Sequence, residues 1–189
     1  LIKKKTPKGA KIKNTFFQKT LTSIESLIKD YYQLPFEMKI KDFLLQQGHS
    51  HFQKNQSSVV FSTKQQEAFI GVNFSYSTIE IINKHSPLKT LQNKNLDAFT
   101  QVVEEISHFY LIVMALTKRK QVSHFNLEWQ AEIDKFLFSS ILCQKQCHKN
   151  QNNKLLKLIY EQVSFQKLFF LMSVRFQEAN LNDLIQWKL

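Results

Sequence analysis

Glu104, Glu105 and His108 fall within little more than one helical turn in V-E-E-I-S-H-F at 103–109. Glu128, Glu132, Asp134 and Lys135 follow in L-E-W-Q-A-E-I-D-K at 127–135. Acids and an imidazole at one-turn spacing beside an apolar stripe can ligate a metal, exchange protons, or form a buried polar network that fixes helix register. Glu104 and His108 are four apart and project from one side of a helix; Glu128, Glu132 and Lys135 share a side in the same way.

The elements that must carry these groups are legible from periodicity. Phe99, Val102, Val103, Ile106, Phe109, Tyr110 and Val113 keep helical spacing to about Thr117, with Asn95 or Asp97 as the expected cap. Ser123 is placed to cap a second long helix through Leu127, Ala131, Phe136 and Phe138 to near Cys147. The short connection around Lys118, Arg119 and Lys120 makes the two helices an antiparallel hairpin. If the hairpin folds about residue 120, residues at equal height have numbers that sum to about 240. His108 then faces Glu132, Glu105 falls level with Lys135, and Glu128 lies one turn nearer the connection.

Two uses of this layout follow. Glu104, His108, Glu132 and Glu128 can gather around zinc or iron, leaving a position open to water, with Glu105 as a general base. Alternatively Glu105 pairs with Lys135 and His108 donates to Glu132, so that the cluster, with Asp134 beside it, serves as a structural polar network.

Upstream, Phe16, Phe17, Leu21, Ile24, Leu27 and Ile28 predict an amphipathic helix from Thr15 to about Tyr32. Pro35 opens a further helix through Ile40, Phe43 and Leu44, broken at Gly48. Ser58–Thr63 and Ala68–Phe74 read as an antiparallel β-hairpin. Ser75 or Ser77 then caps a short helix through Ile79, Ile81 and Ile82, a stretch that equally suits a third strand. Beyond a loop at 149–153, residues 155–163 and 165–179 carry helical patterns, followed by a short segment through Leu184 and Trp187. The expected fold is α+β and predominantly helical: a small antiparallel hairpin packed with the long helix hairpin and flanking helices. Residues 1–14 form a basic flexible arm and 15–189 one globular domain.

Composition narrows the function classes. With 17 Phe against 3 Gly and 3 Pro, the chain suits packed elements; a glycine-rich nucleotide cradle is disfavoured. The formal charge is +11, and Lys3, Lys4, Lys5, Lys8, Lys11 and Lys13 crowd the first thirteen residues, an arm suited to phosphate, nucleic acid or anionic lipid. No RNA-recognition, zinc-finger or basic-region signature accompanies it. Cys143, Cys147 and His148 lack the fourth ligand of a structural zinc site, and the two cysteines are expected as free thiols. His49 and His51 belong to a polar loop. The apolar run from Phe109 to Leu116 is too short for a bilayer, and with no secretory signal pattern the expected location is the cytoplasm.

The two acidic segments also carry resemblances. V-E-E-I-S-H-F and L-E-W-Q-A-E-I-D-K are similar to E-G-V-S-H-F and E-L-Q-A-E-x-D-K segments of a bacterial protein family of unassigned activity, over Ser58 to Ile141. The layout of an acid–His helix followed by an acidic helix distantly resembles a degenerate zincin-type metallopeptidase domain, whose signature is H-E-x-x-H. That resemblance implies Glu104 and His108 as metal ligands, Glu105 as base and Glu128 or Glu132 as third ligand. Three functions follow as expectations: a binding protein whose acidic hairpin is structural and whose partner is a protein; a metal-dependent hydrolase; and a basic nucleic-acid-associated accessory protein.

Overall fold

The structure, a computed structural model, describes residues 2–3, 15–45, 51, 53–64 and 67–146. Lys4, Lys5, Lys8, Lys11, Lys13, His49, Cys147, His148 and the helical patterns after residue 150 lie outside the described residues, as does the side chain of Lys3.

Helix α1 (Phe16–Tyr32) begins at Thr15, whose hydroxyl accepts from Gln18 N at 3.4 Å. It ends at Gln33, which takes the left-handed conformation at φ 50°. Its apolar stripe of Phe17, Leu21, Ile24 and Ile28 is buried. A single 3-10 turn follows at Ile40–Phe43, where a helix through Leu44 was expected. Leu44 instead bridges to Val72, and Leu45 N donates to the Val72 carbonyl at 2.8 Å, so the backbone leaves the helical path to meet the sheet.

Strands β2 (Ser58–Lys64) and β3 (Glu67–Asn73) form the expected antiparallel hairpin, with Val60 opposite Gly71. Strand β1 (Ile2–Lys3) pairs in parallel with the other edge of β3, so these two residues of the expected flexible arm belong to the sheet. Ser75 accepts from Thr78 N and starts helix α2 (Tyr76–Lys84), which decides between the helix and strand alternatives.

Helix α3 (Asn93–Thr117) is the centre of the molecule. Leu96, Phe99, Val102, Val103, Ile106, Phe109, Tyr110 and Val113 are buried against α1, α2, the sheet and helix α4 (His124–Gln146). Its start precedes the expected caps. Gln92 is the N-cap, and Asn95 in the first turn accepts from Gln92 N while donating to the carbonyls of His85 and Thr90. By length and composition α3 is apolar enough to cross a bilayer, which the run from Phe109 to Leu116 alone did not indicate. Yet 67% of its most apolar window is buried inside the protein, as in a core helix. At the other end Arg119 turns the chain at φ 53°, and Ser123 Oγ accepts from Asn126 N to cap α4 as expected.

Glu25 ties α1 to this centre. Its buried carboxylate accepts from Ile40 N at 2.7 Å and from the Tyr110 hydroxyl at 2.5 Å. Gly71 faces Leu45, which runs beside β3: a Cβ there would lie 2.6 Å from Leu45 Cδ2 and 2.9 Å from Leu45 Cγ, so the leucine side chain would have to shift. Gly71→Ala should therefore destabilise the fold by about 1–3 kcal/mol in urea titrations. Adding Leu45→Ala should recover part of the loss, and strictly additive effects would contradict the close approach.

Candidate metal centre

The α3–α4 hairpin is antiparallel, and its polar contacts test the expected register directly. Ser107–Asp134 and Glu104–Lys135 both fall within one residue of the equal-height rule. His108 and Glu128 meet one turn nearer the connection.

Lys135 decides which acids are left for the imidazole. Its Nζ donates to Glu132 Oε1 at 2.6 Å and to Glu104 Oε2 at 3.0 Å. Two expected pairings are corrected by this. Lys135 takes Glu104 rather than Glu105, because Glu104 lies on the helix face toward α4, whereas Glu105, 100° further round, turns inward and is buried. His108 meets Glu128 rather than Glu132, because the ammonium holds Glu132.

The result is a three-residue cluster. Glu104, His108 and Glu128 each present one ligand atom, and these atoms lie within 4.8 Å of one another. His108 Nε2 is 3.6 Å from Glu128 Oε1, and on the other side of the ring Nδ1 is 3.9 Å from Glu105 Oε2. His124, largely exposed, approaches the same Glu128 oxygen at 3.6 Å. Among the described residues, His108 Nε2 and Glu105 Oε2 are buried without a hydrogen-bond partner.

Burial shapes the protonation states. It lowers the pKa of His108 against the opposing pull of Glu128 and Glu104, so the imidazole is neutral near pH 7 and its contacts with the acids are not salt bridges there. Burial, with repulsion from Glu104 and Glu128, pushes Glu105 up to about 8, only partly offset by Lys135. For Lys135, burial opposes the charged form, but Glu104 and Glu132 outweigh it and the pKa rises.

Asp134, expected beside this cluster, belongs to another. Its carboxylate accepts from Ser107 Oγ at 2.6 Å, from the Tyr32 hydroxyl at 2.5 Å and from Gln130 Nε2 at 3.0 Å. Tyr32 is 102 positions away along the chain, so no local pattern announces the contact. Burial raises Asp134 against these three hydrogen bonds. Cys143 is buried in the core, as a small apolar side chain would be.

No protein family, curated protein or solved structure matches this chain.

Glu105 makes a sign-definite prediction. Between about pH 4.5 and 8 the folded protein keeps a proton on this carboxyl that the unfolded chain releases, so stability is full below that window and falls as pH rises through it. Glu105→Gln should remove that fall. In chelator-treated protein, chemical denaturation should show the variant gaining more than about 1 kcal/mol on wild type between acidic and mildly alkaline pH. Parallel curves for the two proteins would place the Glu105 carboxyl outside the titrating set.

Proposed function

We propose that this is a binding protein whose helix hairpin holds one divalent transition metal ion, zinc or iron, between Glu104, His108 and Glu128. The observation that carries this reading is the convergence of three donor atoms from two helices within 4.8 Å. His108 supports it through a buried Nε2 without a hydrogen bond of ordinary geometry, the ring keeping only a backbone contact with Leu127, and through its neutral state, the form of imidazole that ligates metals.

Charge supports it as well. The carboxylates of Glu104, Glu128 and Glu132 against the Lys135 ammonium, three negative groups and one positive, leave a formal −2 that a divalent cation would offset. One imidazole with two carboxylates suits zinc or iron, whereas calcium and magnesium favour all-oxygen sets. Three protein donors leave room for water or a further ligand. Glu105 stands on the Nδ1 side of His108 and not beside Nε2, where a general base would be needed. The function proposed is therefore metal binding rather than hydrolysis.

A register-fixing role for the same cluster has its own support in Lys135, which bridges Glu104 and Glu132 without any ion. The two roles are compatible: the ammonium sets the hairpin, and Glu104 is shared between it and the metal.

Elemental analysis after reconstitution with zinc or ferrous iron should find about one ion per chain, lost in His108→Ala and Glu128→Gln and kept in Glu132→Gln. Wild-type protein that takes up no metal, or His108→Ala that keeps it, would end the proposal. For the register lock, Lys135→Met should destabilise metal-free protein by about 2 kcal/mol, because it leaves two acids without their cation. A loss below about 0.5 kcal/mol would show that the lock is not needed.

A further inference from the structure

Between α1, α3 and α4 lies a cavity of about 390 Å³ that shares no residue with the Glu104–His108–Glu128 cluster. Its size is at the lower end of ordinary ligand sites, roughly 300–1,000 Å³. Ile28, Leu34, Leu111, Met114 and the Trp129 indole provide apolar walls. Tyr32, 37% exposed, and half-buried Trp129 stand where the cavity meets the surface.

Its polar end is built around Asp134. That residue is 2% exposed, yet its carboxylate is held only by neutral donors: the Ser107 and Tyr32 hydroxyls and the Gln130 amide. Among the described residues no Lys, Arg or His forms an ion pair with it. A carboxylate offers about four acceptor sites, so three hydrogen bonds leave room for one more donor. Buried charge of this kind is costly unless a counter-charge reaches it. The rings of Tyr32, Tyr110 and Trp129 also line the cavity, and aromatic faces attract cations.

We propose that this cavity binds a small organic cation, an ammonium group on an aromatic or branched-alkyl body, with its nitrogen on Asp134 and its body against Leu111, Met114 and Trp129. An anion would meet the Asp134 carboxylate with repulsion. A neutral molecule of the same shape would fill the walls and leave the charge unanswered. The site shares no residue with the proposed metal centre, although the charge of His108 acts on Asp134, and the amine titration is read without metal binding.

Calorimetric titration of the full chain with phenethylamine, phenethyl alcohol and phenylpropionate tests this directly. The amine should bind saturably and at least about tenfold more tightly than the alcohol, the discrimination expected of a charge-assisted hydrogen bond. Phenylpropionate should not bind. Asp134→Asn should bring the amine down to the affinity of the alcohol. Should Asp134→Asn fail to fold, Met114→Trp fills the cavity from a wall without touching Asp134; it should abolish amine binding while far-UV circular dichroism stays native. Equal affinity for amine and alcohol, undiminished binding in Met114→Trp, or no binding of any of the three compounds to folded wild type would each overturn the proposal.

Discussion

The ammonium of Lys135, set between Glu104 and Glu132, is the contact on which the arrangement of the helix hairpin depends. Helix α3 is buried on most of its faces, so an ionisable group on it is tolerated only where a neighbouring element supplies a partner. With Lys135 drawing two acids from two helices to one point, the α3–α4 register is defined. The remaining polar groups then take what is left: His108 turns to Glu128, Glu105 stays inside, and Ser107 meets Asp134. A slip of one turn would bring Val103 or Leu111 opposite Asp134 and break the Glu104–Lys135, His108–Glu128 and Ser107–Asp134 contacts.

Similar logic holds α3 on its other sides. Tyr110 donates to Glu25, and the same Glu25 oxygen accepts from the backbone of the 3-10 turn. Asn95 gathers the carbonyls of His85 and Thr90 at the helix start. Each is a buried polar atom with its partners supplied from a different segment, so the positions of α1, the 3-10 turn and the α2–α3 connection are set by hydrogen bonding as well as by apolar packing. The apolar packing is itself aromatic-rich: Phe17 meets Phe74 edge-on and Phe43 meets Phe109, joining α1 to the end of β3 and the 3-10 turn to α3.

Two polar groupings thus flank the same hairpin with different character. One is charged, with Glu104, Glu128, Glu132 and Lys135 around a neutral imidazole. The other is a single carboxylate among hydroxyls and an amide at the end of an apolar cavity. Ser107 and His108 are consecutive, as are Asp134 and Lys135, so neighbouring residues on each helix serve different groupings. The 100° turn per residue makes that division possible without widening the hairpin.

Periodicity and turn chemistry alone determined α1, the β-hairpin, the cap at Ser123 and the antiparallel pairing of α3 with α4, because these follow from residues within a few positions of one another. The heights of Glu104, His108, Glu128 and Lys135 along the hairpin were legible for the same reason: rise per residue is constant and the connection is short. Their pairing was not. Glu104 and Glu105 differ in height by one residue, and only the azimuth each takes in the packed structure separates the half-buried partner of Lys135 from the buried neighbour of His108. The shortening of the second helix to one 3-10 turn depended on the sheet edge offered by Val72, and the hydrogen bonding of Asp134 at the cavity depended on Tyr32 arriving from α1. Local propensity contains neither, since both contacts exist only once distant segments have packed.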